Sequence, residues 1–179
     1  EELFSSLPAD KQAKIMDSEL LIYHCRGEES EIKEWFKTIN IAGVPLNEQE
    51  LLNAIFSGPF VTLAKAEFSN STNSNVQKWS AYVSGTVIRQ DYLATALSWV
   101  AASKGQSKDG YMAAHRYDNN IAELKTYYTT VIDWISAVFR DVEKEMCGLE
   151  WGRLYEKYHT NAYDPARISD KVQKLYADN

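Results

Sequence analysis

The sequence predicts a mainly α fold, a helical bundle led by one short β segment, and three observations carry that prediction. From residue 30 onward, apolar side chains recur at three-and-four spacing over most of the chain, the period of helices with one face against a core. Only one short apolar run, ELLIYHC at 19–25, has the length and bounding residues of a strand. At 35–58, WFKTINIAGVPLNEQELLNAIFSG, one helix ends in a Gly/Pro loop and a second opens under a readable start signal.

Residues 8–17, PADKQAKIMD, read as a short helix with Pro8 in its first turn, where a missing N–H does no harm, and with Ile15 and Met16 facing inward. The run at 19–25 follows, centred on Ile22 and Tyr23 and bounded by Arg26-Gly27, which suits a strand buried on at least one face. A lone strand leaves its backbone groups unpaired, so its partners are expected on another segment. Its open edge also invites pairing with a second copy of the chain, which would make a homo-oligomer.

From Ser30, Ile32, Trp35, Phe36 and Ile39 form one apolar stripe, while Glu31, Lys33, Glu34 and Lys37 point to water. Glu28, Glu29 and Glu31 sit at the start of this helix, where acids complement the helix dipole without any catalytic role. Past its end, Gly43 supplies a permissive backbone position and Pro45 fixes the approach to Asn47. Asn47 is placed to cap the next helix, because its side-chain oxygen can accept a first-turn N–H, and Glu50 three residues on completes a capping box. Glu48 and Glu50 would repel an anion, so this helix start is a poor phosphate site. The helix spans 47–56, with Leu51, Leu52, Ile55 and Phe56 inward, and stops at Gly58-Pro59.

Another helix fits 59–68, and SNSTNSN at 69–75 then reads as a solvated loop that separates a domain at 1–68 from a helical subdomain at 76–179. In the second part, 76–83 is a short helix and 91–103 a longer one carrying Leu93, Leu97, Trp99 and Val100; KGQSKDG at 104–110 is a loop. The longest element covers about 119–146. Ile121, Leu124, Tyr128, Val131, Ile135, Val138 and Val142 line one side and Ile132, Trp134 and Phe139 a second, as expected at the centre of a bundle. Trp151, Leu154, Tyr155 and Tyr158 make an aromatic helix after Gly148, and Asp164-Pro165 opens a last one with Ile168, Val172 and Leu175.

Composition bounds the function. At 179 residues and 45% hydrophobic the chain can bury a real core. A formal charge of −6 speaks against a broad phosphate-binding face, so the chain alone is expected not to bind nucleic acid strongly. No run has the length of a membrane span, so no membrane partner is expected. Cys25 and Cys147 are too few and too far apart for a disulfide framework or a zinc ribbon; buried, inert, reduced thiols in a cytoplasmic protein are the simple expectation. His24, His115 and His159 show no metal spacing and read as structural or surface residues. The eleven Tyr and five Trp could stack on bases, but without a cationic groove they read as core.

Phe36, Asn40, Gly43, Pro45, Leu46, Gln49, Glu50, Leu51, Asn53 and Ala54 together resemble the pattern F-x-x-x-N-x-x-G-x-P-L-N-x-Q-E-L-x-N-A of the N-terminal domain family of GmrSD-type restriction endonucleases, also called domain of unknown function 262. The similarity covers residues 3–60, with a looser likeness to HNH-linked members at Trp151, Gly152, Leu154 and Tyr155. It implies that the leading β segment belongs to a truncated ParB-like α/β core, that 1–68 is the C-terminal part of that domain, and that 76–179 leads toward a nuclease module. The family's Asp-Gly-Gln-Gln-Arg box and HNH motif do not occur in these residues, and Leu52 stands where relatives often carry Arg.

The resemblance therefore implies an internal fragment of a nucleotide-dependent, DNA-targeting phage-defence endonuclease. The fragment itself would be catalytically silent and hold no cofactor, while its parent would use GTP or another NTP with a divalent metal, and meet nucleotide and DNA. Asn40, with Phe36 beside it, is implied to lie at the nucleotide. Residue chemistry alone leaves two alternatives open, a helix C-cap at Asn40 next to Gly43 and core packing at Phe36. A helical scaffold or protein-interaction module without a nucleotide role is the competing function.

Overall fold

The computed structural model describes residues 3–22, 24–41, 46–139 and 144–160, and their side chains apart from those at 29, 33, 37, 40, 41, 144 and 145. The described residues are mainly helical. They form α1 (Ala9–Met16), α2 (Glu29–Ile41), α3 (Glu48–Ile55), α4 (Pro59–Phe68), α5 (Asn75–Ser80), α6 (Asp91–Ser103), α7 (Lys108–His115), α8 (Ala122–Val138) and α9 (Trp151–Tyr158), with 3-10 turns at Phe4–Ser6 and Lys144–Gly148. The chain divides into two compact units between Ile39 and Asn40.

In the first unit α1 starts on Pro8, as expected, but Ile15 and Met16 face solvent instead of a core. The expected strand is also absent among the described residues. Residues 19–22 and 24–25 form no ladder, and Leu20, Leu21 and Ile22 are 82%, 81% and 66% exposed. The physical reason is the one that makes any lone strand untenable: no extended neighbour among the described residues accepts or donates its hydrogen bonds. Tyr23 lies outside the described residues. On α2, Ile32 and Phe36 are half-buried, whereas Trp35 and Ile39 are exposed, so the apolar stripe is covered on one edge only.

The second unit is built on α6, whose Tyr92, Leu93, Ala96, Leu97, Val100 and Ala101 are buried. Helices α7, α8 and α9 pack on it, and α8 contributes Leu124, Tyr128, Val131, Ile132 and Ile135. The aromatics converge at Tyr128. Trp99 stacks on its ring at 5.2 Å, and Phe68 and Trp79 meet it edge-on at 5.3 and 5.4 Å. Such pairs add about 0.5–1.5 kcal/mol each beyond the area they bury, and the rings serve the core, as their composition suggests. Because α4 supplies Phe60, Val61, Ala64 and Phe68 to this same core, the polar loop at 69–75 lies inside the second unit and does not divide it.

Three further expectations change here. Helix α7 begins at Lys108 inside the expected loop, because Ser107 Oγ accepts from the Gly110 N–H at 3.1 Å and caps it. The long helix stops at Val138 and Phe139 is already extended; 140–143 lie outside the described residues, and Lys144–Gly148 returns as a 3-10 turn. Neither thiol is buried, since Cys25 is exposed and Cys147 half-buried. The helix expected from 165 lies outside the described residues. No helix among the described residues is long and apolar enough to cross a membrane.

Gly152 sets how closely α9 meets α6. A Cβ there would lie 2.6 Å from Trp99 Cγ, so only a residue without one allows this approach.

Candidate functional site

Within the 36–54 pattern, the part that begins at Asn47 is anchored by its polar side chains. Asn47 caps α3 as the sequence indicates: its Oδ1 accepts from the Glu50 N–H at 2.8 Å, and Glu50 Oε2 accepts from the Asn47 N–H at 2.8 Å. The same side chain reaches further, donating from Nδ2 to the Arg89 carbonyl at 3.0 Å. Two residues on, Gln49 Nε2 donates to Asn53 Oδ1 at 2.9 Å, and Asn53 Nδ2 donates to Gln90 Oε1. Gln49 and Asn53 are the buried polar residues of α3, and Gln90 holds a left-handed backbone, φ 62°, just before α6.

A side chain longer than Asn or Gly is uncommon in that backbone region, so the amide clasp fixes a conformation the chain would otherwise leave. The Gln49 Oε1 is buried without a hydrogen-bond partner, although Met112 Sδ lies 3.8 Å from its Nε2. Hydrophobicity alone placed the inward face of α3 on Leu51, Leu52, Ile55 and Phe56. The buried face is instead Gln49, Leu52 and Asn53, at i, i+3 and i+4, which puts the two amides where apolar residues were expected.

Of the two residues expected at a nucleotide, Phe36 is half-buried on α2 in the first unit. Asn40 is in α2, but its side chain and the loop at 42–45 lie outside the described residues, so the choice between ligand and helix cap falls there too.

A cluster of ionisable groups that the sequence did not single out joins the end of α6, α7 and the start of α8. Glu123 Oε1 accepts from Lys104 at 2.6 Å, and its Oε2 accepts from the Tyr111 hydroxyl at 2.9 Å. His115 pairs through Nδ1 with Asp118 Oδ2 at 2.8 Å, its Nε2 lies 4.0 Å from Glu123 Oε2, and its ring lies 4.2 Å from that of Tyr111. The bond from Lys104, aided by that from Tyr111, holds the Glu123 carboxyl below the usual carboxylate range against the opposing effect of burial. Burial first, and the neighbouring carboxylate second, push the Tyr111 phenol well above the ordinary tyrosine range. The arrangement neutralises a carboxylate between two donors and ties three segments together. Its signal in the sequence was the His115-x-x-Asp118 spacing at the end of a helix, which isolated-residue reasoning passes over.

A cleft of about 700 Å³ in the second unit runs between α6 and α9. Trp99 and Leu149 form apolar parts of its wall, Thr95, Ser98 and Ser103 offer hydroxyls, and Glu150 and Glu156 add carboxylates. Trp151 Nε1 donates to the Tyr82 carbonyl at 2.8 Å and Ser84 N–H to the Cys147 carbonyl at 3.0 Å, which fix the end of the cleft nearest the 3-10 turn. Tyr127 OH donates to Glu156 Oε1 at 2.6 Å across α8 and α9. Among the described residues no group of three His, Cys, Asp or Glu is set to hold a metal ion. No protein-family model, no curated protein and no solved structure matches the chain.

Proposed function

We propose that the chain is a segment of a nucleotide-dependent, DNA-targeting endonuclease of the restriction and phage-defence kind that its 36–54 pattern resembles. In this reading α2 and the turn after it form one wall of a nucleotide pocket, and the second unit is the helical connection to a nuclease module. The observation that supports it is the anchoring of α3. Asn47, Gln49, Glu50 and Asn53, the polar residues of the pattern beyond the turn, all serve the join to residues 89–90 or the cap. A loop that must approach a ligand works best when a rigid element holds it, and this join supplies such an element. Asn40 is then the amide that meets a phosphate or base, with Phe36 beside it.

Nucleotide, divalent metal and DNA engage the parent protein, and the chain on its own is catalytically silent. The test is GTP and ATP binding, with Mg²⁺, by the protein in its full reading frame. Asn40→Ala should weaken nucleotide binding by about tenfold, 1.4 kcal/mol, with thermal stability unchanged. Unchanged affinity in both Asn40→Ala and Phe36→Ala would take this segment out of the pocket, and hydrolysis of GTP by the repurified chain alone would contradict its silence.

The second reading, a helical scaffold or protein-interaction module without a nucleotide role, is favoured by the same two buried amides. Gln49 and Asn53 hold helices together without needing any ligand. Retained nucleotide affinity in the two variants above would select it.

A further inference from the structure

The wall of the α6–α9 cleft carries polar groups that the fold does not use. Serines and threonines in helices often bond back to the carbonyl one turn earlier, as Thr38 and Thr62 do here to Glu34 and Gly58. Thr95 and Ser98, at i and i+3 on α6, line the cleft and make no side-chain hydrogen bond to the described residues. Glu156, on α9, is held at one oxygen only: Tyr127 OH donates to its Oε1 at 2.6 Å, and no described residue donates to Oε2. The Tyr127 hydroxyl also meets that of Ser103, which puts the Glu156 carboxylate at the C-terminal end of α6.

Charge selects the ligand. Glu150 and Arg153 also line the cleft and offset each other at 3.6 Å, which leaves the charge of Glu156 uncompensated within it. An anion such as a nucleotide meets like charge there, whereas a cation is attracted. Ser98 and Thr95 precede Ser103 by five and eight residues, or roughly 7.5–12 Å at about 1.5 Å per residue, so the two polar ends stand apart. Between them Ala102 leaves room, and Trp99 and Leu149 give apolar wall. The volume, about 700 Å³, is within the range of about 300–1,000 Å³ of small-molecule sites. We propose that this cleft binds a linear aliphatic amine with a hydroxyl at its far end. The ammonium pairs with Glu156 Oε2, the hydroxyl bonds to Ser98 and Thr95, and the hydrocarbon between them lies along Ala102, Trp99 and Leu149. The assignment stands apart from the nucleotide reading and holds equally for a scaffold.

Aminohexanol, with its amine and hydroxyl at opposite ends of a hexyl chain, tests it on the full chain at neutral pH through amide chemical shifts in two-dimensional NMR. Binding should saturate and shift amides of α6 and α9. It should be about tenfold tighter than that of hydroxyhexanoate, which replaces the cation by an anion, with hexylamine in between. Glu156→Gln keeps the acceptor for Tyr127 and should weaken aminohexanol about tenfold at unchanged Tm. Ser98→Ala combined with Thr95→Val should remove the preference for aminohexanol over hexylamine and leave hexylamine unaffected. Aminohexanol that does not saturate, or that shifts only amides of other helices, would overturn the assignment. So would hexylamine or hydroxyhexanoate that binds equally well, or a Glu156→Gln protein that binds as its parent does. A lysine peptide that binds more tightly than aminohexanol would overturn it as well, because the cleft would then serve a side chain of another protein.

Discussion

Replacing Gly152 by Ala isolates the contact that sets the spacing of α9 on α6. In a helix interior this exchange stabilises by about 1 kcal/mol, which is an upper bound at Gly152, the second residue of α9. Here the new Cβ would stand 2.6, 2.8 and 2.9 Å from Trp99 Cγ, Cδ1 and Cβ, all closer than real Cβ contacts allow. These atoms sit at the root of the indole side chain, so no rotation about its outer bonds clears them, and the ring is held in its stack 5.2 Å from Tyr128. Overpacking of a core costs about 1–3 kcal/mol, and a neighbour that cannot yield puts this site at the upper end. The net effect is a loss of about 2 kcal/mol, or about 4–8 °C in Tm at about 2–4 °C per kcal/mol. Thermal unfolding followed by circular dichroism reads it, with Gly148→Ala as the control, since a Cβ at Gly148 meets nothing within 4 Å. A Gly152→Ala protein as stable as its parent, with the control also silent, would refute the claim that this approach is tight.

Other substitutions test separate parts of the second unit. Asn53→Ala leaves the amides of Gln49 and Gln90 without their shared partner and should cost about 1–3 kcal/mol in urea unfolding, whereas an exposed amide exchange would be neutral. Tyr128→Phe removes a buried hydroxyl that has no hydrogen-bond partner, so stability should hold or rise; a clear loss would mean that the hydroxyl is satisfied. Asn47→Ala removes both the α3 cap and the bond to Arg89 and should lower stability by about 0.5–2 kcal/mol, with Asn47→Asp keeping the cap. Glu123 has a folded pKa below its unfolded value, so its contribution is present above the unfolded carboxylate pKa and is lost as pH falls through the folded one. Stability measured against pH should therefore fall on the acid side less steeply in Glu123→Gln than in the parent.

Much of the second unit was legible because its signals are local. The capping box at Asn47 and Glu50 follows from spacing alone, and the helix expected at 91–103 is α6 to the residue, since its apolar period is strong and its ends carry Asp91 and Gly105. Helix α7 was missed because its evidence is a single capping hydroxyl, Ser107, among Gly and Lys residues that suit a loop equally well. Gln49 and Asn53 were missed for a different reason. Period analysis ranks residues by hydrophobicity, and a buried amide is invisible to it until its partner, here Gln90 some forty residues away, is known to be near. The expected strand failed in the same direction: cover and pairing are both properties of two segments, so the apolar run at 19–25 could supply neither alone, and Leu20, Leu21 and Ile22 are exposed. The cluster at Glu123 shows the limit again, because Lys104, Tyr111, His115 and Glu123 meet only when three helix ends converge.

The bared aliphatics at Leu20, Leu21 and Ile22 govern how this polypeptide behaves in a tube. Short runs of that kind stack between molecules when nothing opposes them, and here Asp17 and Glu19 on one side and Arg26 and Glu28 on the other act as electrostatic gatekeepers. Salt weakens such gatekeeping over a screening length of about 8 Å at physiological strength, so turbidity should set in at lower concentration as ionic strength rises, and a lysine placed at Leu21 should delay it.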